Sequence, residues 1–207
     1  MRAVINSQFL KRIARLFTGL FLYAVGVVLT IHANIGYAPW DVFHAGLAKT
    51  MGISIGVSSI IVGVILVAIA ALFKEKIGLG TVLSMVLIGV FVDIIMAVNI
   101  IPLAEGFIFC IIMLTAGLYV IALASYFYMG SGFGAGPRDS IMVLLMRKTS
   151  WTVGVCRAAV EISAVVIGFL LGGMVGIGTI ISAFGIGFCI QSTFSLLKFD
   201  AADVDPM

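Results

Sequence analysis

Two stretches of this chain place a carboxylate in the same local pattern: "GYAPWDVFHAGLAKT", from Gly36 to Thr50, and "GAGPRDSIMVLLMRK", from Gly134 to Lys148. Each contains Gly-x-x-Pro-x-Asp. A proline at the first helical position gives up a backbone donor that would be unpaired anyway, and the glycines before it (Gly36; Gly134 and Gly136) let the chain turn sharply. Pro39 and Pro137 therefore read as helix starts. Asp41 and Asp139 then fall in the first helical turn, where unpaired N–H groups and the positive end of the helix dipole favour a carboxylate. Such carboxylates could serve as helix caps. They could equally bind a small polar solute or an ion, with Trp40, Asp41, Arg138 and Asp139 as the substrate-binding set.

Other polar residues invite similar questions. Arg157 and Glu161 lie four apart, on one helix face, and each would cost about 2.5–3.5 kcal/mol at the centre of a bilayer. They are expected to pair or to line a cavity, Glu161 then acting as a proton or cation coupling site that Arg157 tunes. Asp93 is read as a third cavity-lining group. His32 and His44, without a well-spaced third ligand, read as satisfied or interfacial, and no metal or cofactor is expected. Cys110, Cys156 and Cys189 read as small buried apolar residues. "GLGT" (78–81) and "GIGT" (176–179) lack the lysine and the preceding strand of a phosphate loop. Close helix packing, with Thr81 and Thr179 as caps, is expected instead. No Ser/His/Asp or Cys/His constellation appears at a defensible spacing, so an enzyme is not expected.

The elements that carry these residues follow from composition. Of 207 residues, 62% are hydrophobic and only 10% charged, which places the chain in a membrane. Nearly uncharged runs long enough to cross the hydrocarbon core fall near 16–35, 53–73, 78–98, 106–128, 151–171 and 176–196. Six spans are expected. Runs such as "SSIIVGVILVAIAALF" are apolar on every face, which excludes an alternating barrel pattern and makes the fold all-α. The first run follows Lys11, Arg12 and Arg15 as in a signal peptide, but it lacks a small-residue cleavage site and reads as a retained helix. The net charge of +3 is modest and spread over span ends, which argues against nucleic acid as a partner.

The chain is also a duplication. An ungapped offset of 98 residues, as between Gly36 and Gly134, also aligns Gly19 with Gly117, Leu47 with Leu145, Gly56 with Gly154 and "GLGT" with "GIGT". Residues 16–98 and 106–196 form two repeats of one membrane domain (1–207), with a short acidic tail at 197–207. If the short helices (about 39–50 and 137–148) do not cross the membrane, an odd number of spans per repeat inverts the second copy. The basic residues then gather on one side, with only Lys49 opposite. That asymmetry favours six spans, both termini cytoplasmic, and two inverted three-helix repeats, each with a re-entrant or broken Pro-x-Asp helix. The two helix starts would approach the midplane from opposite sides. The alignment sets Trp40 against Arg138, His44 against Met142, Asp93 against Gln191, and Ser59 and Gly63 against Arg157 and Glu161. Glycines spaced by four, such as Gly52/Gly56 and Gly168/Gly172, permit tight contacts within the bundle or between two copies in a homodimer.

"IGYAPWDVFHAGLAKTMGISIG", "GLGTVLSMVLIGVFVD", "GAGPRDSIMVLLMRKTS" and "CRAAVEISAVVIGFLLGGMVGIGT" together resemble the YczE/YyaS/YitT group of bacterial integral membrane proteins over nearly the whole chain. The resemblance implies a multi-pass protein of the bacterial inner membrane with transporter-like character. Two functions stay open: a transporter or channel for a small polar solute or ion, coupled to protons or cations, and a non-transporting membrane partner that regulates or scaffolds another complex. Polar groups converging on a cavity favour the first; an apolar centre favours the second.

Overall fold

A computed structural model describes residues 2–73, 78–133, 144–145, 148–149, 151 and 153–199. The motif residues Gly134, Gly136, Pro137, Arg138 and Asp139, and the tail from residue 200 on, lie outside the described residues.

Seven helices account for the described elements: α1 Arg2–His32, α2 Pro39–Met51, α3 Ile55–Leu72, α4 Leu79–Val98, α5 Phe107–Met129, α6 Val153–Leu170 and α7 Ile177–Leu196. No strand occurs among the described residues. Among the described residues, five segments are long and apolar enough to cross a membrane, namely Gln8–His32, Ile55–Leu72, Gly80–Val98, Phe107–Met129 and Ile177–Leu196. The protein is therefore a polytopic, all-α membrane protein. Large apolar side chains such as Leu72, Leu170 and Phe184 stand exposed, as on helices that meet hydrocarbon rather than water.

The centre of the bundle is the crossing of α1 with α5, made close by small residues. A Cβ on Gly26 would lie 3.0 Å from the Gly117 carbonyl oxygen, and one on Gly117 would lie 3.0 Å from that of Gly26. Gly19 is pressed in the same way against the backbone at Ala124 and Tyr128. Position 19 thus meets 124 while 26 meets 117, so the two helices run antiparallel. Since Gly117 and Ala124 are the repeat counterparts of Gly19 and Gly26, each half gives the same positions to the crossing. Van der Waals contact between close backbones is what drives helix association in lipid.

The Gly-x-Gly-Thr turns tie the halves together a second time. Gly80 N–H donates to the Phe133 carbonyl (2.9 Å), and Gly178 N–H donates to the Ile35 carbonyl (2.7 Å). Gly178 is the counterpart of Gly80, and Phe133 of Ile35. Each turn therefore spends an orphan donor at a helix start on the segment just before the other half's Gly-x-x-Pro motif. Glycine is required because the backbones touch: Gly36, at φ +112, would carry a Cβ 2.8 Å from the Gly176 Cα. Thr179 Oγ1 accepts from Gly176 N–H at 3.1 Å, closing the α7 N-terminus, and both Thr81 and Thr179 are buried.

α2 begins at Pro39 and ends at Gly52, which takes the left-handed conformation (φ 67, ψ 32). Its start lies level with the turn between α6 and α7, because Tyr37 N–H donates to the Met174 carbonyl and Gly178 N–H to Ile35. These backbone bonds hold the motif against the α7 start. From there α2 packs against α6, with Gly46 against Gly168, Gly168 against the backbone at Val42 and Phe43, and Thr50 Oγ1 donating to the Leu171 carbonyl (3.0 Å). Lys148, the counterpart of Thr50, lies with its Nζ 5.4 Å from the ring of Phe73, the counterpart of Leu171.

α3 and α4 pack along each other through Gly56 and Gly89, each of which would drive a Cβ into the other's carbonyl. Gly56 and Gly168 therefore spend their small size inside the bundle. In the second half, α6 turns into α7 through residues 171–176 without that lengthwise packing among the described residues. Both helices line the cavity described next.

Candidate functional site

A cavity of about 600 Å³ lies inside the bundle, with walls from all seven helices. Most of the wall is apolar, including Val27, Ile88, Val92, Leu118 and Ile186. Against this background stand Trp40, Asp41 and His44 of α2, Ser59 of α3, Ser84 of α4, Ser125 and Tyr128 of α5, Arg157 and Glu161 of α6, and Ser182 of α7.

The lining repeats with the chain's own period. Val62 and Val160, Ser84 and Ser182, Ile88 and Ile186, and Val92 and Ile190 are pairs offset by 98 residues, and both members of each pair face the cavity. Ser59 with Arg157 and Gly63 with Glu161 follow the same rule with unlike chemistry. The cavity thus straddles the contact between the two halves, with an apolar scaffold common to both and charges supplied by α6 alone at these positions.

α2 presents its first turn to this space. Pro39 occupies the first helical position after Ala38, whose extended backbone (φ −60, ψ 153) lets the chain enter without a side-chain cap. Asp41 is only 4% exposed, and its Oδ1 lies 3.6 Å from His44 Nδ1, one helical turn on. The His44 carbonyl accepts from Ser58 Oγ (2.8 Å), which fixes α2 on α3. Arg157 Nε donates to Glu161 Oε1 at 3.1 Å, the i,i+4 pair foreseen from spacing. The Arg157 side chain is half exposed, so this pair resembles a surface ion pair more than a dry one. Stability should fall with Arg157→Met and with Glu161→Gln. The loss in the double variant should be smaller than the sum of the singles by about 1 kcal/mol. Melting temperatures of the three variants in detergent check this, and strictly additive losses would count against the pair.

Of the residues singled out from sequence, the structure gathers Trp40, Asp41, Arg157 and Glu161 at one cavity, with Pro39 beside them. Asp93 stands elsewhere. Its carboxylate accepts from Gly56 N–H (2.8 Å) and from the Ser54 hydroxyl, while Ser54 Oγ accepts from Val57 N–H. It completes the N-terminal cap of α3, a role worth about 0.5–2 kcal/mol. His32 is equally structural, with Nδ1 2.7 Å from the Ile101 carbonyl oxygen. Among the described residues no cluster of three or more metal-ligating side chains forms. Sequence reasoning passed over Tyr23, Ser84 and Ser182. The equal offset of Ser84 and Ser182 was the available signal, since serines kept at matched depth in two apolar helices mark a shared face.

The bundle and its internal cavity define a multi-pass α-helical membrane protein. Within that class the chain belongs to a family of unknown function, DUF6198, whose model matches residues 10–194. It is similar to the uncharacterized membrane protein YczE of Bacillus subtilis (strain 168), with 36% identity over 192 residues, 90% of this chain and 88% of that one. An uncharacterized protein of Haemophilus influenzae is 32% identical over 189 residues, covering 90% and 85% of the two chains. The uncharacterized protein YyaS of Bacillus subtilis is 26% identical over 167 residues, covering 79% and 83%. The resemblance to the YczE group read from the motifs is thereby borne out. No solved structure matches the chain.

Proposed function

We propose that this protein is a transporter that moves a small polar solute or an ion through the cavity between two inverted halves, residues 16–98 and 106–196, with coupling to protons or cations. The observation that carries the reading is the cavity lining: matched positions of both halves face one space, and the unmatched Arg157 and Glu161 add charge to it. A transporter built from inverted repeats binds its solute at the repeat interface. The antiparallel crossing of α1 with α5 and the reciprocal bonds of Gly80 and Gly178 support the inversion. α6 is the sixth span in this scheme, its Arg157 and Glu161 turned to the cavity rather than to lipid.

The sidedness follows from charge. Arg15 donates to the Tyr126 carbonyl at the C-terminal end of α5 and lies 4.6 Å from the Tyr126 ring centroid, whereas Lys49 lies near Gly172 at the opposite end. With the Arg15 end inward, both termini are cytoplasmic in a bacterial inner membrane. The implied partners are the bilayer and the solute, and no enzymatic or nucleic-acid role is proposed. A regulatory or scaffolding partner is the alternative, and the charged groups in the cavity weigh against it.

Asp41→Asn and Asp139→Asn test the reading, because an asparagine still accepts backbone hydrogen bonds and would suffice for a cap. Each variant should purify with wild-type yield yet lose proteoliposome uptake of whichever member of a panel of small polar solutes and ions the wild type accumulates. Full uptake in both variants would leave these carboxylates as caps.

A further inference from the structure

The two halves share a sequence pattern but do not pack alike. In the first half α3 and α4 meet along matching edges: Gly56, Ile60 and Gly63 of α3 lie against Met85, Gly89 and Asp93 of α4. A Cβ on Gly89 would stand 2.6 Å from the Gly56 carbonyl oxygen and from the Ile60 side chain, and one on Gly63 would enter the Met85 side chain. The offset of 98 residues turns these edges into Gly154, Ala158 and Glu161 of α6, and Ala183, Gly187 and Gln191 of α7. The second pair of edges is built for the same contact. Glycine stands again at 154 and 187, and the small Gly63 against the large Met85 becomes the large Glu161 against the small Ala183. Gln191, like Asp93, carries an oxygen that can accept from the open N–H groups of a helix start.

Yet the contact is not made. Among the described residues α6 and α7 do not pack lengthwise. Ala158, Gly187 and Gln191 are exposed, whereas Gly89 is buried and Ile60 and Asp93 are partly so. A Cβ on Gly187 would meet nothing within 4 Å. A glycine in open space only weakens its helix, and within a bilayer its use is to let another backbone come close. The two pairs of edges also lie at opposite ends of the bundle. α4 starts beside Phe133, just past α5, and α7 starts beside Ile35, just past α1. Because α1 and α5 are antiparallel, α4 and α7 run in opposite directions, which sets Asp93 and Gln191, toward their far ends, on opposite sides.

We infer that the protein has a second conformation, the repeat-exchanged image of this one, in which α6 closes on α7 along these edges while α3 parts from α4. The present state is sealed beside Asp93 and the second beside Gln191, so the cavity changes the side to which it opens. This rests on the reading of the two halves as inverted transporter repeats, in which one unit rocks against the other. The complementary sizes at 161 and 183 favour α6 over a second copy of the chain as the occupant of the Gly187 face.

Cross-linking tests it in membrane vesicles, on the full-length protein with Cys110, Cys156 and Cys189 replaced by alanine. Ala158→Cys and Gly187→Cys are combined and oxidised with copper phenanthroline. A disulfide needs Cβ atoms about 3.5–4.5 Å apart, so the bond reports approach of the two helices. Most chains should form it within one molecule, read as a mobility shift on non-reducing gels and as the linked peptide by mass spectrometry. Ala158→Cys with Phe188→Cys, turned about 100° round α7, should form none. No bond in the first pair, equal bonding in both, or a bond between two chains would overturn the inference. Gly187→Leu gives a second readout. It should fold as the wild type does, because a Cβ there meets open space, yet confine labelling of Ser59→Cys by an impermeant thiol reagent to one side of the membrane. Two-sided labelling that survives Gly187→Leu would also overturn it. The two readings fail separately. A bond between positions 158 and 187 without uptake of any solute would count against transport and leave the second conformation; uptake without that bond would do the reverse.

Discussion

Gly80→Val and Gly178→Val should each remove nearly all folded protein, and to a similar extent. The two positions are 98 residues apart and do the same work at opposite ends of the bundle. A Cβ on Gly80 would lie 2.6 Å from the Phe133 carbonyl oxygen, and one on Gly178 would lie 2.5 Å from the Gly36 carbonyl oxygen and 3.0 Å from that of Ile35. In each case the obstacle is backbone, which cannot swing aside as a side chain can. Overpacking of this kind costs about 1–3 kcal/mol. The hydrogen bond that the displaced helix start would lose adds about 1 kcal/mol, and more if the donor is left buried and unpaired. Against the marginal stability of a folded chain the sum is large. Gly187→Ala is the control, because a Cβ there meets nothing within 4 Å and alanine is the better helix former. Monodisperse yield on size exclusion and thermal melting in detergent measure the effect. Loss at one of the two positions with full tolerance at the other would contradict the reciprocal exchange.

How much of this was readable beforehand depends on what kind of force sets each feature. The helices were legible because hydrocarbon demands about 20 apolar residues in a helix, and 53–73, 78–98, 106–128 and 176–196 all appear within a few residues of their predicted ends. The start of α2 at Pro39 was legible for a local reason, the missing proline donor. Partners across the bundle were not. Nothing in "GLGT" says that Gly80 donates to Phe133, since the bond depends on two segments over 50 residues apart. Asp93 shows the limit most clearly. As an isolated carboxylate in an apolar run it reads as a cavity group, but the close approach of Gly56 to Gly89 brings the open N-terminus of α3 against it. Conversely, Ser182 looks like an ordinary helical serine, and only the packing shows it buried without a hydrogen-bond partner among the described residues.

The central claim, a solute path through the cavity between the halves, is tested most directly by asking from which side that cavity can be reached, which requires no knowledge of the solute. Ser59 suits the purpose: it lines the cavity one turn into α3, is only half-buried, and has Arg157 as its counterpart in the other half. The native Cys110, Cys156 and Cys189 are free and buried. In a background lacking those three, Ser59→Cys is treated with a membrane-impermeant thiol reagent, in right-side-out vesicles and in inverted ones. A transporter that exposes its site to each side in turn, or a channel open to both, is labelled in both preparations. We predict labelling from both sides, reduced in each by saturating transported solute once one is found. Labelling from one side only, or from neither in a folded protein, would contradict the account.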